Sequence, residues 1–387
     1  MNEQKNKLII LVSGGTGGHV YPAISTFHYL KEKFNICIIT DKRGYIYFNE
    51  LKKDISSKDK YKLIVIDSIS PFNKSIVKRV KFILISIYSI LKIIFIFLRL
   101  RPNLLIGFGG YSSVIPCLVG RFLGTKYLIH EQNAIMGRAN KFLDRFSSLS
   151  LTSFKNTIPK PSQPNKRVFS GIPLREGFVF NKSNTRKKDR AFNILIFGGS
   201  LGSDFFSTEI PKALCCLDKK LKKQLNVTHQ VNASKLSQVK NNYLSNNISS
   251  KVKSFFNDIF EHYMKADLII CRAGGTTIAE IISSKIPSII IPLENSLDDH
   301  QLINSKIISK NKVGWVINQK NFKIPEFNLI IKKLILDKNI IKNIKKKFLI
   351  LEKNNTHLLK NNSPNEILLQ SIFLTLNQKI IRKESFK

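Results

Sequence analysis

The sequence predicts an α/β protein made of two doubly wound halves, each a parallel sheet covered by helices. Short apolar runs alternate with helical patterns along the chain, which is typical of parallel strands joined by crossover helices. Glycine-rich loops follow several of these runs, where a strand would turn into a helix. The alternation restarts at Asn193, after a charged stretch at Asn181–Arg190. With 387 residues, the chain is long enough for two domains.

The chain is strongly basic, with 63 Lys and Arg against 26 Asp and Glu and a formal net charge of +37. Such a balance suits anionic partners: a membrane surface, a nucleic acid or a phosphorylated substrate. Biased composition is the alternative, because the lysines are spread along the chain rather than confined to one tail. The five cysteines show no metal-ligand spacing, and residues 1–7 lack a secretory signal pattern. We therefore expect reduced thiols in a cytoplasmic protein.

The first predicted strand, Lys7–Val12, leads into the glycine-rich loop Ser13–His19 and then a helix from about Tyr21. The loop has neither the dinucleotide-binding spacing nor the end of a P-loop, but its glycines would let the backbone wrap an anion or a sugar. His19 lies where the helix begins, so a neutral imidazole there could act as a general base on a hydroxyl. The alternative is a histidine at a helix start with no ligand.

The most apolar stretch, Phe82–Leu100, has 19 residues with Lys92 and Arg99 as its only charges. As a helix it would be about 28 Å long at ~1.5 Å per residue, close to the ~30 Å of a bilayer core. We nevertheless expect a crossover helix rather than a transmembrane span, because predicted strands flank it and Lys92 would lie in mid-membrane. Its surplus apolar surface could dock on an anionic membrane face with the basic residues Lys74, Lys78, Arg79 and Lys81.

The rest of the first half continues the alternation. Predicted strands are Asn35–Thr40, Lys62–Asp67, Asn103–Gly107, Lys126–His130 and Ser147–Thr152, and predicted helices are Tyr47–Lys53 and Asn140–Phe146. A second glycine loop, Phe108–Ser113, opens another helix. The polar string His130–Asn133 comes at the carboxyl end of a strand, where open α/β sheets bind ligands. Gly171–Arg175 is the expected link to the second half.

The second half repeats this organisation. Its predicted strands are Asn193–Phe197, Val227–Val231, Val252–Phe255 and Ser288–Ile291. A third glycine loop, Gly198–Ser203, follows the first of them, and a helix is predicted to end near Met264. Closing helices are expected to begin within Lys306–Val316.

The stretch Asp267–Glu280 is the strongest candidate for a nucleotide site. A β-rich run is broken by Gly274-Gly275, and a helical pattern starts at Thr276. A helix that begins there presents free N–H groups and a positive dipole end, which suit a diphosphate. Glu280, one turn into the helix, could accept hydrogen bonds from ribose hydroxyls. Asp298–Gln301 could bind sugar hydroxyls. An ordinary strand–turn–helix and a polar helix start are the respective alternatives.

Six motifs, in this order across essentially the whole chain, resemble the MurG family of N-acetylglucosaminyltransferases: Gly14-Gly-Thr-Gly-Gly-His19, Gly109-Gly-Tyr-Ser-Ser113, His130-Glu-Gln-Asn133, Gly198-Gly-Ser-Leu-Gly202, Cys271-Arg-Ala-Gly-Gly275 and Asp298-Asp-His-Gln301. The resemblance implies a GT-B fold, with two Rossmann-like domains facing across a cleft. It implies an acceptor and membrane-associating domain at 1–173, onto which 368–387 could pack back. The donor domain would be 174–367.

The resemblance also implies the two substrates and their contacts. The donor would be UDP-N-acetylglucosamine and the acceptor undecaprenyl-linked lipid I. Glu280 would bind the ribose, and the backbone of Phe256 would read the uracil edge, where family members often carry an aliphatic residue. Gln301 would contact the N-acetylglucosamine hydroxyls. The remaining implied donor contacts are Thr16, Gly17, Gly18, Asn133, Arg175, Ser200, Gly275, Thr276, Thr277, Ile278 and Ala279.

The implied reaction is an inverting transfer to the 4-hydroxyl of the muramoyl sugar. His19 is the expected base and Glu131 the second candidate, and no cofactor or metal is expected. Phe72, Ile76 and Val77 would lie on the anionic cytoplasmic leaflet, which makes the protein peripheral to the bacterial inner membrane.

Other interpretations stay open at this point. Another GT-B enzyme, such as a lipid-A disaccharide synthase or a sugar 2-epimerase, would share the glycine loops and Glu280. The His130–Asn133 string and the order of the loops favour the MurG family over both. A nucleic-acid binder would need basic residues interleaved with aromatics on one surface, so we expect no nucleic-acid partner.

Overall fold

The computed structural model describes residues 5–51, 61–68, 76–161, 163–179, 191–199, 202–256, 259–294, 299–358 and 362–376. The chain divides into two compact units. The first unit comprises Met1–Arg175 together with Thr356–Lys387, and the second comprises Glu176–Asn355. Each unit contains one sheet, and the predicted α/β class with two Rossmann-like sheets is confirmed.

The first unit contains a sheet of seven parallel strands in the order β3-β2-β1-β4-β5-β6-β7. Its strands are β1 (Leu8–Val12), β2 (Asn35–Asp41), β3 (Tyr61–Ile66), β4 (Leu104–Gly107), β5 (Lys126–Glu131), β6 (Leu149–Thr152) and β7 (Arg167–Phe169). The strand order reverses between β1 and β4, so the carboxyl ends of these two strands border the crevice where such sheets bind ligands. The short edge strand β7 was not predicted.

The early helices of the first unit are α1 (Gly17–Leu30), α2 (Lys42–Tyr45), α3 (Ile76–Leu100), α4 (Val114–Phe122) and α5 (Arg138–Asp144), with 3₁₀ turns at Ile46–Leu51, Tyr111–Ser113 and Pro164–Lys166. Two predictions need correction. Helix α1 begins at Gly17 rather than near Tyr21, which places His19 in its first turn. The helix predicted at Tyr47–Lys53 is instead α2 followed by a 3₁₀ turn, because Asp41 caps α2 by accepting from the backbone N–H of Gly44.

Strand β1 is buried on both faces of the first sheet, which explains its unbroken apolar sequence. Ile9 and Leu11 belong to a core with Phe27 of α1. Ile10 and Val12 belong to a second core, on the opposite face, with Phe97 of α3. Successive residues of a strand point to opposite faces, so a sheet covered on both sides needs apolar residues at every position.

Helix α3 is the predicted crossover, connecting β3 to β4. Its inner face is fixed to the sheet: Ile93 and Phe97 are buried, and Lys92 Nζ donates to the carbonyl of Val65 at 3.1 Å. The segment Phe82–Leu100 is long and apolar enough to cross a bilayer, although only 17% of it is buried. Large exposed apolar side chains cover its outer face: Ile83, Leu84, Ile87, Tyr88, Ile90, Leu91, Phe95 and Leu98.

The second unit contains a sheet of six parallel strands in the order β10-β9-β8-β11-β12-β13. Its strands are β8 (Phe192–Phe197), β9 (Leu225–Gln230), β10 (Ser249–Lys253), β11 (Leu268–Cys271), β12 (Ser288–Ile290) and β13 (Gly314–Val316). The helices that follow α5 are α6 (Glu176–Val179), α7 (Asp204–Cys215), α8 (Lys219–Lys222), α9 (Leu236–Ser245), α10 (Ile259–Lys265), α11 (Gly275–Ser284), α12 (His300–Lys310), α13 (Ile324–Leu336) and α14 (Lys338–Leu358).

The range Lys306–Val316, in which the closing helices are predicted to begin, instead contains the end of one helix and a strand. Helix α12 ends at Lys310, and β13 pairs with β12 instead. A Cβ on Gly314 would lie 2.3 Å from the carbonyl oxygen of Ser288, so only glycine allows this close pairing.

The last described helix, α15 (Pro364–Leu376), packs in the first unit. Leu368 and Ile372 are buried in the core that also contains Phe27. Lys126 at the start of β5 donates from Nζ to the carbonyl of Thr375 at 3.1 Å. Residues 377–387, the rest of the segment predicted to pack back, lie outside the described residues.

Candidate active site

The first glycine loop is held at the end of β1 by a carboxylate from the neighbouring strand. Asp41, at the end of β2, accepts hydrogen bonds at Oδ1 from the backbone N–H of Gly15 (2.9 Å) and of Gly44 (2.7 Å). Gly15 has a φ of +81°, which favours glycine. Asp41 was not among the predicted site residues. Its position at the carboxyl end of a strand was the available signal.

The second glycine loop packs against the first. Gly109 and Gly110 have φ values of +97° and +79°. A Cβ on Gly110 would lie 2.9 Å from the carbonyl oxygen of Gly14, and a Cβ on Gly109 would lie 3.0 Å from Nδ1 of His19. These glycines therefore let two loops, almost a hundred residues apart in sequence, meet beside the His19 ring.

Gly109→Ala is expected to lower turnover by about 10–100-fold if His19 is the base that the sequence predicts, because the added Cβ would displace its ring and a shift of about 1 Å is costly. Gly124→Ala is the matched control: its φ is +84°, yet no neighbouring heavy atom lies within 4 Å of the added Cβ. Both variants carry the same backbone penalty of about 1–2 kcal/mol. Steady-state kinetics should show a turnover defect only in Gly109→Ala. Equal defects would assign the effect to backbone strain rather than to contact with His19.

Glu131 organises the loop after β5. It is fully buried and is the last residue of the strand, one position beyond the predicted end. Oε1 accepts from the backbone N–H and the side chain of Asn133 at 2.9 and 3.0 Å. Oε2 accepts from the backbone N–H of Gly137 and the side chain of Asn140, at 3.0 and 2.9 Å. Four donors thus hold this carboxylate against the loop, and its candidacy as the base stays a prediction.

His19 is joined to the polar string by a side-chain hydrogen bond. Its Nδ1 lies 2.8 Å from Oε1 of Gln132, whose side chain is buried. Gln132 in turn contacts His130, which is fully buried. Burial lowers the pKa of His130 to about 4, so this imidazole is neutral at neutral pH. Sequence analysis noted both residues within the string but gave neither a role.

Several other predicted site residues of the first unit lie on α1 or contact it. Thr16 caps α1 without a side-chain hydrogen bond, and Gly17 and Gly18 form its first turn. Arg175 stacks on Tyr21 of the same helix, with its guanidinium carbon 4.3 Å from the ring centroid. The helix α1 thus carries or contacts five of the predicted site residues.

In the second unit, α11 begins directly after the strand β11, with Gly274 as a cap that contributes no side-chain hydrogen bond. The first turn contains Gly275, Thr276 and Thr277, and Ile278 anchors the helix in the core. The first N–H groups of a helix lack intrahelical partners, so this end has the capacity for an anion. The predicted start at Thr276 is correct to within one residue.

Glu280 lies deep in this site, with 6% of its surface exposed. Its Oε2 accepts a hydrogen bond from the Tyr263 hydroxyl at 3.0 Å. The ring of Tyr263 packs edge-on against Phe178 at 5.0 Å between centroids and tilted against Phe197 at 5.8 Å. The aromatic cluster therefore orients the carboxylate before any ligand is present.

Arg272, which belongs to the motif Cys271–Gly275 but has no predicted role of its own, is a buried guanidinium. It donates to the carbonyls of Ile291 and Pro292 at 3.0 and 2.9 Å. It also donates to Ser203 Oγ at 3.0 Å and Gln319 Oε1 at 2.8 Å. Burial lowers its pKa to about 10 without removing the charge at neutral pH. It ties together four segments at the carboxyl edge of the second sheet and adds positive potential there.

Gln301 also connects loops at this edge. Its Oε1 accepts from the backbone N–H of Leu293 at 2.9 Å and of Ala273 at 3.3 Å. The amide nitrogen, the donor of this side chain, is thereby turned away from both. Phe256 is buried with its ring edge-on to His262 at 4.7 Å. Ser200 and Asp298 lie outside the described residues.

The described residues contain no group of three or more His, Cys, Asp or Glu that could hold a metal ion. The expectation of a reaction without cofactor or metal stays a prediction.

Comparison with known proteins identifies the family. The Glycosyltransferase family 28 N-terminal domain model matches residues 9–149, and the family 28 C-terminal domain model matches residues 193–360. The UDP-N-acetylglucosamine--N-acetylmuramyl-(pentapeptide) pyrophosphoryl-undecaprenol N-acetylglucosamine transferase of Rickettsia bellii is 34% identical over 361 residues, which cover 92% of this chain and 98% of the relative. The chain belongs to the MurG family of glycosyltransferases. The Pelagibacter ubique member is 32% identical, with 95% and 98% of the two chains covered.

Solved structures agree with the GT-B fold of the family. The crystal structure of Acinetobacter baumannii MurG superposes with a TM-score of 0.66 at 24% identity, covering 97% of this chain and all of that one. A Polygonum tinctorium UDP-glucosyltransferase gives 0.68 at 12% identity, with 96% and 98% covered. A UDP-N-acetylglucosamine 2-epimerase gives 0.65 at 9% identity. One fold thus carries different reactions, and the choice between transferase and epimerase comes from the family.

Proposed function

We propose that this MurG-family enzyme transfers N-acetylglucosamine from UDP-N-acetylglucosamine to the 4-hydroxyl of the muramoyl sugar of lipid I, giving lipid II for peptidoglycan synthesis. The observation that carries the proposal is the 34% identity to the Rickettsia bellii transferase over 92% of this chain. The proposed roles in donor binding and in transfer to the acceptor are argued from the residues at the carboxyl edges of the two sheets.

The second unit is the proposed donor domain. The start of α11, from Gly275 to Ala279, would take the diphosphate through backbone N–H groups and the helix dipole. Glu280 would accept hydrogen bonds from the ribose hydroxyls, and the Phe256 backbone would read the uracil edge. Gln301 would donate to oxygen atoms of the N-acetylglucosamine ring. Further donor contacts are proposed for Ser200, Arg175, Asn133, Thr16, Gly17 and Gly18.

The first unit is the proposed acceptor domain, with His19 as the general base. The muramoyl hydroxyl would lose its proton to Nε2 of His19 as its oxygen bonds to the anomeric carbon. The bond from that carbon to the UDP oxygen breaks, and UDP departs with the electron pair. Attack from the face opposite UDP converts an α-linked donor into a β-linked product. Helix dipoles and Arg272 supply positive potential for the departing charge.

We also propose that the protein is peripheral to the anionic cytoplasmic leaflet of the inner membrane. Helix α3 supports this, because its buried inner face is packed on the sheet while its outer face exposes large apolar side chains, with Phe95 at 68% and Leu91 at 62%. A helix with this asymmetry would lie in the membrane interface instead of crossing it. Phe72 and Lys74 lie outside the described residues, and the side chains of Ile76 to Lys81 are not described.

The double variant Leu91→Glu/Phe95→Glu is expected to weaken vesicle binding by at least about tenfold, since burying each side chain is worth about 1.5–3 kcal/mol. Flotation with vesicles of phosphatidylglycerol and phosphatidylethanolamine measures the bound fraction, with neutral phosphatidylcholine vesicles for comparison. Leu244→Glu is the control, because Leu244 is a 73% exposed residue of the second unit. Equal flotation of the double variant and the wild type would contradict the proposed orientation.

The proposed reaction is tested by transfer of labelled N-acetylglucosamine from its UDP form to a lipid I analogue, with product anomer read by NMR. A β-linked disaccharide product is expected. The alternative interpretation is another GT-B transferase with a different lipid-linked acceptor. Binding of UDP-N-acetylglucosamine without transfer to lipid I, in folded protein, would favour it. Retention on heparin but not on UDP-agarose would instead point to a nucleic-acid partner.

A further inference from the structure

A line of hydrogen bonds runs from the Gly171 carbonyl to the imidazole of His19. His130 Nε2 lies 3.0 Å from the carbonyl oxygen of Gly171, and His130 Nδ1 lies 3.1 Å from Nε2 of Gln132. Gln132 Oε1 then lies 2.8 Å from Nδ1 of His19. His130 is fully buried and Gln132 is 1% exposed, so these groups interact without competing water.

The direction of each hydrogen bond follows from groups that can act in only one way. A carbonyl oxygen only accepts, so His130 must carry its proton on Nε2, facing Gly171. Because this buried imidazole is neutral at neutral pH, its Nδ1 is an unprotonated acceptor. The nitrogen of the Gln132 amide therefore faces His130 as a donor.

A second carbonyl fixes the Gln132 amide independently. Gln132 Nε2 also donates to the backbone carbonyl of His130 at 2.9 Å. Flipping the amide would place its oxygen against that carbonyl and against the lone pair of the imidazole. The oxygen Oε1 is thus left facing His19, and an amide oxygen only accepts.

We propose that Gln132, supported by His130, is a positioning residue that holds the proton of His19 on Nδ1 and leaves Nε2 as the unprotonated atom that receives the acceptor proton. This inference deepens the proposed function and rests on it for the chemistry. The proton taken up at Nε2 makes an imidazolium whose Nδ1–H stays bonded to the amide oxygen. The amide of Gln132 thus orients the His19 ring without placing a negative charge beside it.

Neighbouring side chains and loops restrain the hydrogen-bonded line of His130, Gln132 and His19. The ring of Phe108, at the start of the second glycine loop, lies 5.7 Å from the His130 ring. Asn140 Nδ2 donates to the His130 carbonyl at 3.1 Å and to Glu131 Oε2 at 2.9 Å. Gly109 bounds the His19 ring on the Nδ1 side. The four hydrogen bonds to Glu131 contribute to this positioning, because they fix the backbone next to Gln132.

The test measures the tautomer of His19 by nitrogen–proton NMR of protein labelled at histidine. The chain has 7 histidines, and the signals of His19 are those lost in His19→Ala. We expect the Nδ1–H tautomer of His19 to predominate in the wild type. In Gln132→Leu we expect the Nε2–H tautomer to predominate. Turnover of Gln132→Leu should fall about 10–100-fold with donor KM nearly unchanged. Asn328→Leu, which removes a comparable amide–carbonyl bond to Ala213 in the second unit, should leave the tautomer unchanged.

Gln132→Glu separates positioning from mere packing. A carboxylate of the same size keeps an accepting oxygen beside Nδ1 of His19, so the Nδ1–H tautomer should persist in Gln132→Glu although it is lost in Gln132→Leu. His130→Leu should have a smaller effect on the tautomer than Gln132→Leu, because the His130 backbone carbonyl still orients the amide. Circular dichroism and UDP binding establish folding for each variant.

An Nε2–H tautomer in the wild type would overturn the proposal, and so would an unchanged Nδ1–H tautomer in folded Gln132→Leu. A tautomer that responds as expected in an enzyme that does not use lipid I would retain the positioning role and reject the proposed acceptor. Transfer to lipid I by an enzyme whose His19 tautomer does not respond to Gln132→Leu would support the proposed acceptor and reject the positioning role of Gln132.

Discussion

His19→Ala is expected to reduce turnover by about 10²–10⁴-fold, the range that general base catalysis contributes. The affinity for UDP-N-acetylglucosamine should change little, because the imidazole of His19 is not among the proposed donor contacts and its neighbours Thr16, Gly17 and Gly18 are unchanged in the variant. Steady-state kinetics with saturating donor and varied lipid I analogue measures the loss. The loss should appear in turnover rather than in donor KM.

His28→Ala is the matched control for this variant. His28 occupies the last turn of α1, the helix that carries His19 in its first turn. Its replacement perturbs the same helix without touching Gln132. A His19→Ala enzyme with more than about a tenth of wild-type turnover would remove His19 from the role of base, since such a factor is below the range of base catalysis. The search would then turn to Glu131, the second candidate.

Glu280→Ala is expected to weaken binding of UDP-N-acetylglucosamine by about 10²-fold. Hydrogen bonds to a charged group contribute about 1.5–3 kcal/mol, and a factor of ten in affinity corresponds to about 1.4 kcal/mol. Isothermal titration measures the dissociation constant directly. Because Glu280 is largely buried, thermal unfolding of the unliganded variant is recorded alongside, to separate lost affinity from lost folding.

Two further measurements sharpen this prediction. Tyr263→Phe removes the hydroxyl that contacts Glu280 but keeps the aromatic packing, and we expect a loss of only a few-fold, about 0.5–1.5 kcal/mol. A donor analogue lacking the ribose 2′-hydroxyl should bind less well than the natural donor to the wild type but equally well to Glu280→Ala. The two proteins and two donors form a double-mutant cycle. Additive losses of affinity in it would show that Glu280 does not contact the ribose 2′-hydroxyl.

Much of the fold was predictable because it depends on local signals. Strands buried on both faces need unbroken apolar runs, and glycine loops mark the ends of β1, β4, β8 and β11. Boundaries were less predictable where a single contact decides them. Helix α2 begins where it does because Asp41 caps it, and β13 is a strand because it pairs with β12. The outcome for α3 depended on which of its faces the sheet would cover, since its composition suits either a crossover helix or a membrane span.

The family, the two sheets and the loops that carry His19 and Glu280 were all predictable, because motif order and periodicity are properties of neighbouring residues. The hydrogen-bond partners of the polar groups were not predictable, because they come from distant parts of the chain. The direction of the His19 proton depends on Gln132, 113 residues away, and on the Gly171 carbonyl beyond it. Glu131 became a loop organiser because Asn140 and Gly137 donate to it. A hydrogen bond requires a donor and an acceptor to meet in space, and that meeting is set by packing rather than by sequence distance.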